Sequence, residues 1–114
     1  MTEEKNLTIL WTNADINTSK FMVMMYATNS MIYHWWDSVT VVIWGATAKL
    51  VAEDESIQEL LKTAANVGVS FSACVACARQ LGVKDELKAL GIEVKPWGEP
   101  LSQLIQGGGH LITV

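Results

Sequence analysis

Short apolar runs alternate along this chain with segments of helical pattern. Residues 7–11, 38–44, 69–73, 92–95 and 110–114 each predict a strand, because each run is short, largely apolar or alternating, and bounded by turn residues or glycine. The run over residues 38–44 is almost continuous in β-branched side chains, which is typical of a strand buried on both faces.

Helical patterns fill the intervals between these strands. They predict helices over residues 19–32, 53–66, 84–90 and 101–106, and a short helix that ends at Gly82. The acidic start of the helix over 53–66 suits its N-terminus, since negative charge near the positive end of a helix dipole is stabilising. Residues 45–48 are predicted to be a turn that leads away from the second strand.

Strands that alternate with helices predict an α/β fold. Crossovers between parallel strands are right-handed, so the pattern indicates a mostly parallel sheet of about five strands with helices on both faces. The chain has 114 residues, half of them hydrophobic, and no repeat or linker interrupts the pattern. We therefore expect one domain over residues 1–114, with enough apolar material for a core.

The predicted helix over residues 19–32 is apolar on nearly every side. It contains Phe21, Met25 and Met31, and Trp35 and Trp36 follow it. A helix that is apolar all round buries more than one side, and large aromatic residues are favoured at interfaces. The sequence therefore predicts a homo-oligomer.

Charge and hydropathy exclude two kinds of partner. The chain carries 8 basic and 12 acidic residues, and no basic stripe that would suit nucleic acid. No apolar run approaches the roughly 20 residues that a membrane-spanning helix needs. The first six residues are polar and acidic, the reverse of a signal peptide. We expect a cytoplasmic protein that binds neither nucleic acid nor membrane.

Two cysteines provide the main candidate chemistry. Cys74 and Cys77 lie where the third predicted strand passes into a helix. A thiol at a helix N-terminus faces unpaired N–H groups, which favour its thiolate, and Arg79 adds positive charge nearby. In a cytoplasmic protein, paired cysteines are more often reactive or metal-bound than structural. Cys74 is therefore predicted to be the reactive thiolate, and Cys77 to remain more thiol-like.

Ligands of parallel sheets bind beyond the carboxyl ends of the strands. Side chains that follow the predicted strands should meet Cys74 and Cys77 at this edge. Together with Arg79, the following residues are therefore candidates for substrate binding: Asn13, Gly45, Thr47 and Trp97.

The sequence predicts neither a metal site nor a cofactor. His34 and His110 are the two histidines, and neither shows paired ligand spacing. Residues 107–110 read Gly-Gly-Gly-His, which lacks the Lys-Ser/Thr ending of a phosphate-binding loop and precedes a strand rather than a helix.

The segment over residues 67–83, Val-Gly-Val-Ser-Phe-Ser-Ala-Cys-Val-Ala-Cys-Ala-Arg-Gln-Leu-Gly-Val, resembles the strand–cysteine–helix signature of DsrE/DsrF-like proteins. Residues 43–47, 91–94 and 97–101 extend this resemblance over almost the whole chain. The resemblance implies a three-layer α/β/α sandwich, commonly assembled as trimers or hexamers. It also implies that a persulfide forms on Cys74 and that sulfur donor and acceptor proteins are the partners.

Three functions remain open at this point. The first is a sulfur-handling protein that carries sulfane sulfur as a persulfide on Cys74. The second is a non-catalytic oligomeric module that binds a small ligand in the same cleft. The third is a CxxC thiol–disulfide protein, although the Trp-Cys-x-x-Cys context of thioredoxin-like chains is missing. Cys77 either resolves an oxidised or persulfidated Cys74 or packs as a small apolar residue.

Overall fold

Five parallel strands form the centre of the fold. In the computed structural model, which describes residues 4–114, they are β1 (Asn6–Trp11), β2 (Ser38–Ile43), β3 (Ser70–Cys74), β4 (Glu93–Lys95) and β5 (His110–Thr113). Their order in the sheet is β4-β3-β2-β1-β5, and every neighbouring pair is parallel. The predicted parallel sheet is confirmed, and the first three residues of the predicted domain lie outside the described residues.

All but one of the helical stretches follow the predicted order. The first helical stretch is continuous and consists of α1 (Ile16–Thr18), a π-helical segment (Ser19–Met24) and α2 (Met25–Ile32). The remaining helices are α3 (Ala46–Glu53), α4 (Glu55–Asn66), α5 (Val75–Gln80), α6 (Lys84–Ala89) and α7 (Gly98–Gln106). Within residues 4–114, no helix is both long and apolar enough to cross a membrane.

Helix α3 is a correction to the sequence prediction, which placed a turn at residues 45–48. Only Gly45 turns: its φ of 69° is a conformation that glycine adopts at little cost, and the helix begins at the next residue. Asp54 then separates α3 from α4, because its carboxylate accepts the Ile57 N–H at 3.0 Å as an N-cap. The acidic residues at 53–55 therefore span the end of one helix and the start of the next.

The sheet has helices on both faces, as expected for a three-layer α/β/α sandwich. The chain moves from β1 to β4 in one direction, so right-handed crossovers place the helices up to α6 on one face. Ile9, Val41 and Ile43 face that layer in the main core and are fully buried. The last crossover returns across the sheet, which places α7 on the opposite face. A smaller core there contains Val42, Cys74 and Trp97.

The first helical stretch buries only one side within a single chain. Val23, Met24 and Ala27 lie in the main core, whereas other large side chains of this region are exposed. These side chains, here called the aromatic surface, are Phe21, Met22, Met25, Ile32, Tyr33 and Trp35. Burial of the helix on a second side, as predicted, would need another molecule.

Candidate functional site

Cys74 lies at the junction that the sequence predicts. It is the last residue of β3 and the N-cap residue of α5, with extended backbone angles of φ −68° and ψ 119°. Its side chain is only 5% exposed and lies in the smaller core against Val42 and Trp97. Because α5 has six residues, the helix dipole contributes less here than in a long helix. Cys74 is therefore a shielded thiol close to the sheet edge.

Cys77 is one helical turn further along and is more accessible than Cys74. It is half-buried, and it packs against the same small core that contains Cys74. Both cysteines are free thiols. Cys77 also lines an open cleft of about 410 Å³, here called the α3–α5 cleft, whose walls are formed by Gly45, Ala46, Ala76, Cys77, Gln80 and Leu81. Cys77 is thus the more exposed of the two thiols, although the sequence predicts Cys74 to be the reactive one.

The surroundings of Cys77 favour its thiol form over its thiolate. Burial raises the pKa of the Cys77 thiol, and the neighbouring Cys74 side chain raises it further. The backbone of Gly45 acts in the opposite direction and lowers the pKa of this thiol. The structure therefore places Gly45 beside Cys77 in the wall of the cleft.

Trp97 closes the small core over Cys74. Its indole Nε1 donates to the Ser72 hydroxyl at 2.7 Å, and that hydroxyl donates to the Glu93 carboxylate at 3.0 Å. The Lys95 ammonium lies 3.5 Å from a Glu93 oxygen and 4.7 Å from the centroid of the Trp97 ring. The hydrogen bond, the ion pair and the cation–π contact together fix the Trp97 ring in place.

Lys95, rather than Arg79, is the cation next to Cys74 in the sheet. Cys74 and Lys95 are register partners on β3 and β4, so their side chains point to the same face. Arg79 is exposed on α5, does not line the α3–α5 cleft, and makes no ion pair within residues 4–114. The structure therefore does not bring Arg79 into the cleft beside Cys77, and its contribution to substrate binding stays a prediction.

Two other predicted binding residues have structural contacts instead. Thr47 is fully buried; its hydroxyl donates to the Trp11 carbonyl at 2.7 Å and accepts the Trp44 N–H at 3.1 Å. It joins the ends of β1 and β2 and presents no polar atom to a substrate. Asn13 shapes the loop after β1, where its side chain accepts the Asp15 N–H at 2.9 Å. Since β2 separates β1 from β3, this loop is displaced from Cys74 along the sheet edge.

Sequence reasoning missed several residues that lie close to Cys74 and Cys77. Ser72 lies two positions before Cys74 on β3, so the alternation of a strand already places both side chains on one face. Lys95 joins that face only through its register with Cys74. Ala46 and Leu81 line the cleft, but they are apolar residues and belong to no motif that the sequence would reveal. No three metal-ligating side chains converge anywhere in residues 4–114.

Comparisons with known proteins place this geometry in a family. The structure of a conserved protein of unknown function, BT1422 from Bacteroides thetaiotaomicron, superposes with a TM-score of 0.94 at 34% identity, over 96% of this chain and 95% of that one. The ychN protein from E. coli has a TM-score of 0.72 at 15% identity, over 98% of this chain and 100% of that one. MTH1491 from Methanobacterium thermoautotrophicum, also of unknown function, has a TM-score of 0.72 at 16% identity, with the same coverage.

The last two structures, at their low identity, support the fold alone. No curated protein matches the sequence. The sequence model of the DsrE/DsrF-like family, in contrast, matches residues 5–114, which is nearly the whole described chain. The match includes both cysteines and all five strands. The chain therefore belongs to the DsrE/DsrF-like family.

Proposed function

We propose that this protein carries sulfane sulfur as a persulfide on Cys74. The family is generally related to sulfur relay. The observation that supports this function best is the pair of free thiols that share one small core at the carboxyl end of β3, the edge where ligands of parallel sheets bind. A persulfide is readily lost to other thiols in solution, and the low exposure of Cys74 would protect it from them.

The chemistry requires a thiolate, a donor and an acceptor. The thiolate form of a cysteine attacks the outer sulfur of a persulfide donor; the donor's S–S bond breaks and the donor thiolate leaves. The sulfur then resides on the protein until an acceptor thiolate attacks it in the same way. No cofactor is needed for these exchanges. The sulfur donor and acceptor are expected to be separate partner molecules that reach this edge of the sheet.

Intact mass distinguishes this function from its alternatives. Reduced protein is incubated anaerobically with benzyl hydropersulfide, separated from the reagent, and weighed. We expect a mass increase of one sulfur atom, which dithiothreitol removes. A loss of two hydrogens would indicate a CxxC thiol–disulfide protein instead. An unchanged mass would contradict sulfur carriage and favour a non-catalytic binding module.

Replacement of Lys95 by methionine is expected to slow the sulfur loading of Cys74. Lys95 is the register partner of Cys74 and lies on the same face of the sheet, where its positive charge attracts the negative charge that passes between sulfur atoms in the exchange; methionine keeps most of the apolar stem. Because Lys95 is partly exposed, we expect an effect of only roughly two- to fivefold on the rate. Quenched time courses of the Cys74 persulfide measure it.

Lys88→Met is the matched control for this prediction. Lys88 is exposed on α6 and has no ion-pair partner within residues 4–114. It should load at the wild-type rate. If both variants load equally fast, Lys95 does not act on the Cys74 sulfur, and its role is limited to holding Trp97.

We further propose that copies of this chain associate through the aromatic surface. Phe21 is 64% and Trp35 51% exposed, and Trp35 stacks on Tyr33 with ring centroids 5.5 Å apart. So much apolar area on one side of a small domain marks an interface, and closed homo-oligomers are the commonest assemblies. Multi-angle light scattering at micromolar concentration should therefore return a multiple of the 12.5 kDa chain mass. A monomer mass would contradict this prediction.

Charged substitutions test the position of the interface. The double variant Phe21→Lys with Met25→Lys should lower the measured mass, because lysine ammonium groups cannot be buried there without partners. Ile105→Lys is the control, since Ile105 is also a large apolar residue, 56% exposed, but lies on α7, on the opposite face. Dissociation by Ile105→Lys alone would place the interface on α7 instead.

A further inference from the structure

The two thiols of this site differ in how a reagent can reach them. Cys74 is 5% exposed and is enclosed by side chains of the small core, among them Val42 and Trp97. Cys77 packs against the same core and also lines the open α3–α5 cleft. A donor molecule therefore meets Cys77 first, and Cys74 lies one helical turn behind it.

The α3–α5 cleft is also distinctive in its chemistry. Its walls are glycine, alanine and leucine apart from Cys77 and the Gln80 side chain, and none of residues 4–114 that line it is charged. Transfer of an ionised group into such surroundings is costly unless a partner compensates it. The cleft therefore suits a sulfur donor with an apolar carrier group and disfavours a small dianion such as thiosulfate.

We propose that Cys77 is the thiol that accepts sulfur from the donor, that the donor is a hydropersulfide on an apolar carrier group, and that Cys77 then transfers the sulfur to Cys74. This inference rests on the proposed function. It assigns the two cysteines successive roles: Cys77 exchanges sulfur with molecules in the cleft, and Cys74 stores it in the shielded core.

Both steps balance without an oxidant or a reductant. The Cys77 thiolate attacks the outer sulfur of R–S–SH, the S–S bond of the donor breaks, and R–S⁻ leaves with the electron pair. The Cys74 thiolate then attacks the outer sulfur of the Cys77 persulfide, and Cys77 leaves as a thiolate. The terminal proton travels with the transferred sulfur in each step. The backbone of Gly45, which lines the cleft beside Cys77, partly offsets the effect of burial on the pKa of the Cys77 thiol and so favours its thiolate both as nucleophile and as leaving group.

Rapid-quench loading of cysteine variants tests the order of transfer. Reduced wild-type protein, Cys77→Ser and Cys74→Ser are mixed with benzyl hydropersulfide, trapped at intervals with iodoacetamide, and mapped by tandem mass spectrometry. In the wild type, labelled persulfide should appear on Cys77 before Cys74. Cys77→Ser should load Cys74 roughly tenfold more slowly or worse, because its donor must reach a shielded thiol. Cys74→Ser should load Cys77 at the wild-type initial rate and lose the sulfur quickly.

The outcomes separate this inference from the proposed function. If Cys77→Ser loads Cys74 at the wild-type rate, Cys77 is not the accepting thiol, while Cys74 remains a sulfur carrier. A disulfide between the two cysteines with release of hydrosulfide, in place of a Cys74 persulfide, also overturns the transfer step. If the wild type takes up no sulfur on either cysteine, the proposed function itself fails.

A variant of the cleft wall that keeps both thiols tests the inference even if the cysteine variants misfold. Ala46→Glu places a charge in the cleft wall at an exposed position in the first turn of α3, where a carboxylate suits the helix. It should slow the loading of Cys77 severalfold, whereas Ala65→Glu, exposed on α4 and outside the cleft, should not. With wild-type protein, thiosulfate should load more slowly than benzyl hydropersulfide. Equal rates with both donors, or an unaffected Ala46→Glu, would contradict the donor class.

Discussion

Replacement of Cys74 by serine is expected to leave the protein unable to retain sulfane sulfur. Serine preserves the size and the N-cap geometry of the residue, but its hydroxyl cannot form a persulfide. After incubation with benzyl hydropersulfide and removal of the reagent, the variant should show the mass of the unmodified chain. Any sulfur that reaches Cys77 in this variant remains accessible in the cleft and should be lost to solution thiols during the separation.

The matched variant Cys77→Ser makes this result specific. It removes the other thiol of the same small core, so both variants lose one sulfur atom from the same region. It should still accumulate a stable persulfide on Cys74, although slowly. Stable retention on Cys77 in the Cys74→Ser variant would reverse the assignment of the storage thiol. Circular dichroism confirms that both variants remain folded before either result is used.

Replacement of Trp97 by alanine is expected to have the largest effect on stability. Trp97 is 9% exposed, and truncation removes the ring that closes the small core. Loss of a buried tryptophan typically costs about 3–5 kcal/mol in the free energy of unfolding. The same change opens Cys74 to solvent, so its alkylation rate in the folded protein should rise. Urea unfolding and timed iodoacetamide labelling measure the two effects.

Trp97→Phe separates the packing of the ring from its hydrogen bond. Phenylalanine fills much of the same space, but it cannot donate to the Ser72 hydroxyl. The free energy of unfolding should fall by about 1 kcal/mol, the typical worth of one hydrogen bond, together with a smaller packing loss. Cys74 should remain shielded in this variant. If Trp97→Ala leaves the alkylation of Cys74 unchanged, the ring does not control access to that thiol.

Periodicity was sufficient to predict the sheet and the location of the cysteines. Local sequence patterns indicate the strand at residues 38–44 and the change from strand to helix at Cys74. The structure contains both features. Helix α3 was missed because the glycine at position 45 reads as the start of a longer turn. Gly45 is instead a single residue with positive φ directly before a helix. Only the complete backbone distinguishes this arrangement from a longer turn.

The composition of the site depends on information that no single segment contains. The interpretation of Arg79 as the neighbouring cation used sequence distance, whereas the pairing of β3 with β4 places Lys95 beside Cys74. Asn13 was expected at the site because it follows a strand, but strand order places β2 between its strand and that of Cys74. Thr47 follows β2, which is adjacent to β3, but it is buried, and its hydroxyl donates to the Trp11 backbone carbonyl. Register, strand order and burial emerge only on folding.

The return of α7 across the second face of the sheet has a consequence for biosynthesis. Ribosomes synthesise the chain starting from its N-terminus. Both cysteines therefore leave the ribosome before Trp97 and α7. β5 must also pair with β1, the first strand made, and such distant pairing forms slowly. The nascent chain therefore passes through a period in which Cys74 lacks its cover and is open to oxidation. Cells that lack thiol-reducing capacity should accordingly yield more oxidised protein when elongation through the last third of the chain is slowed.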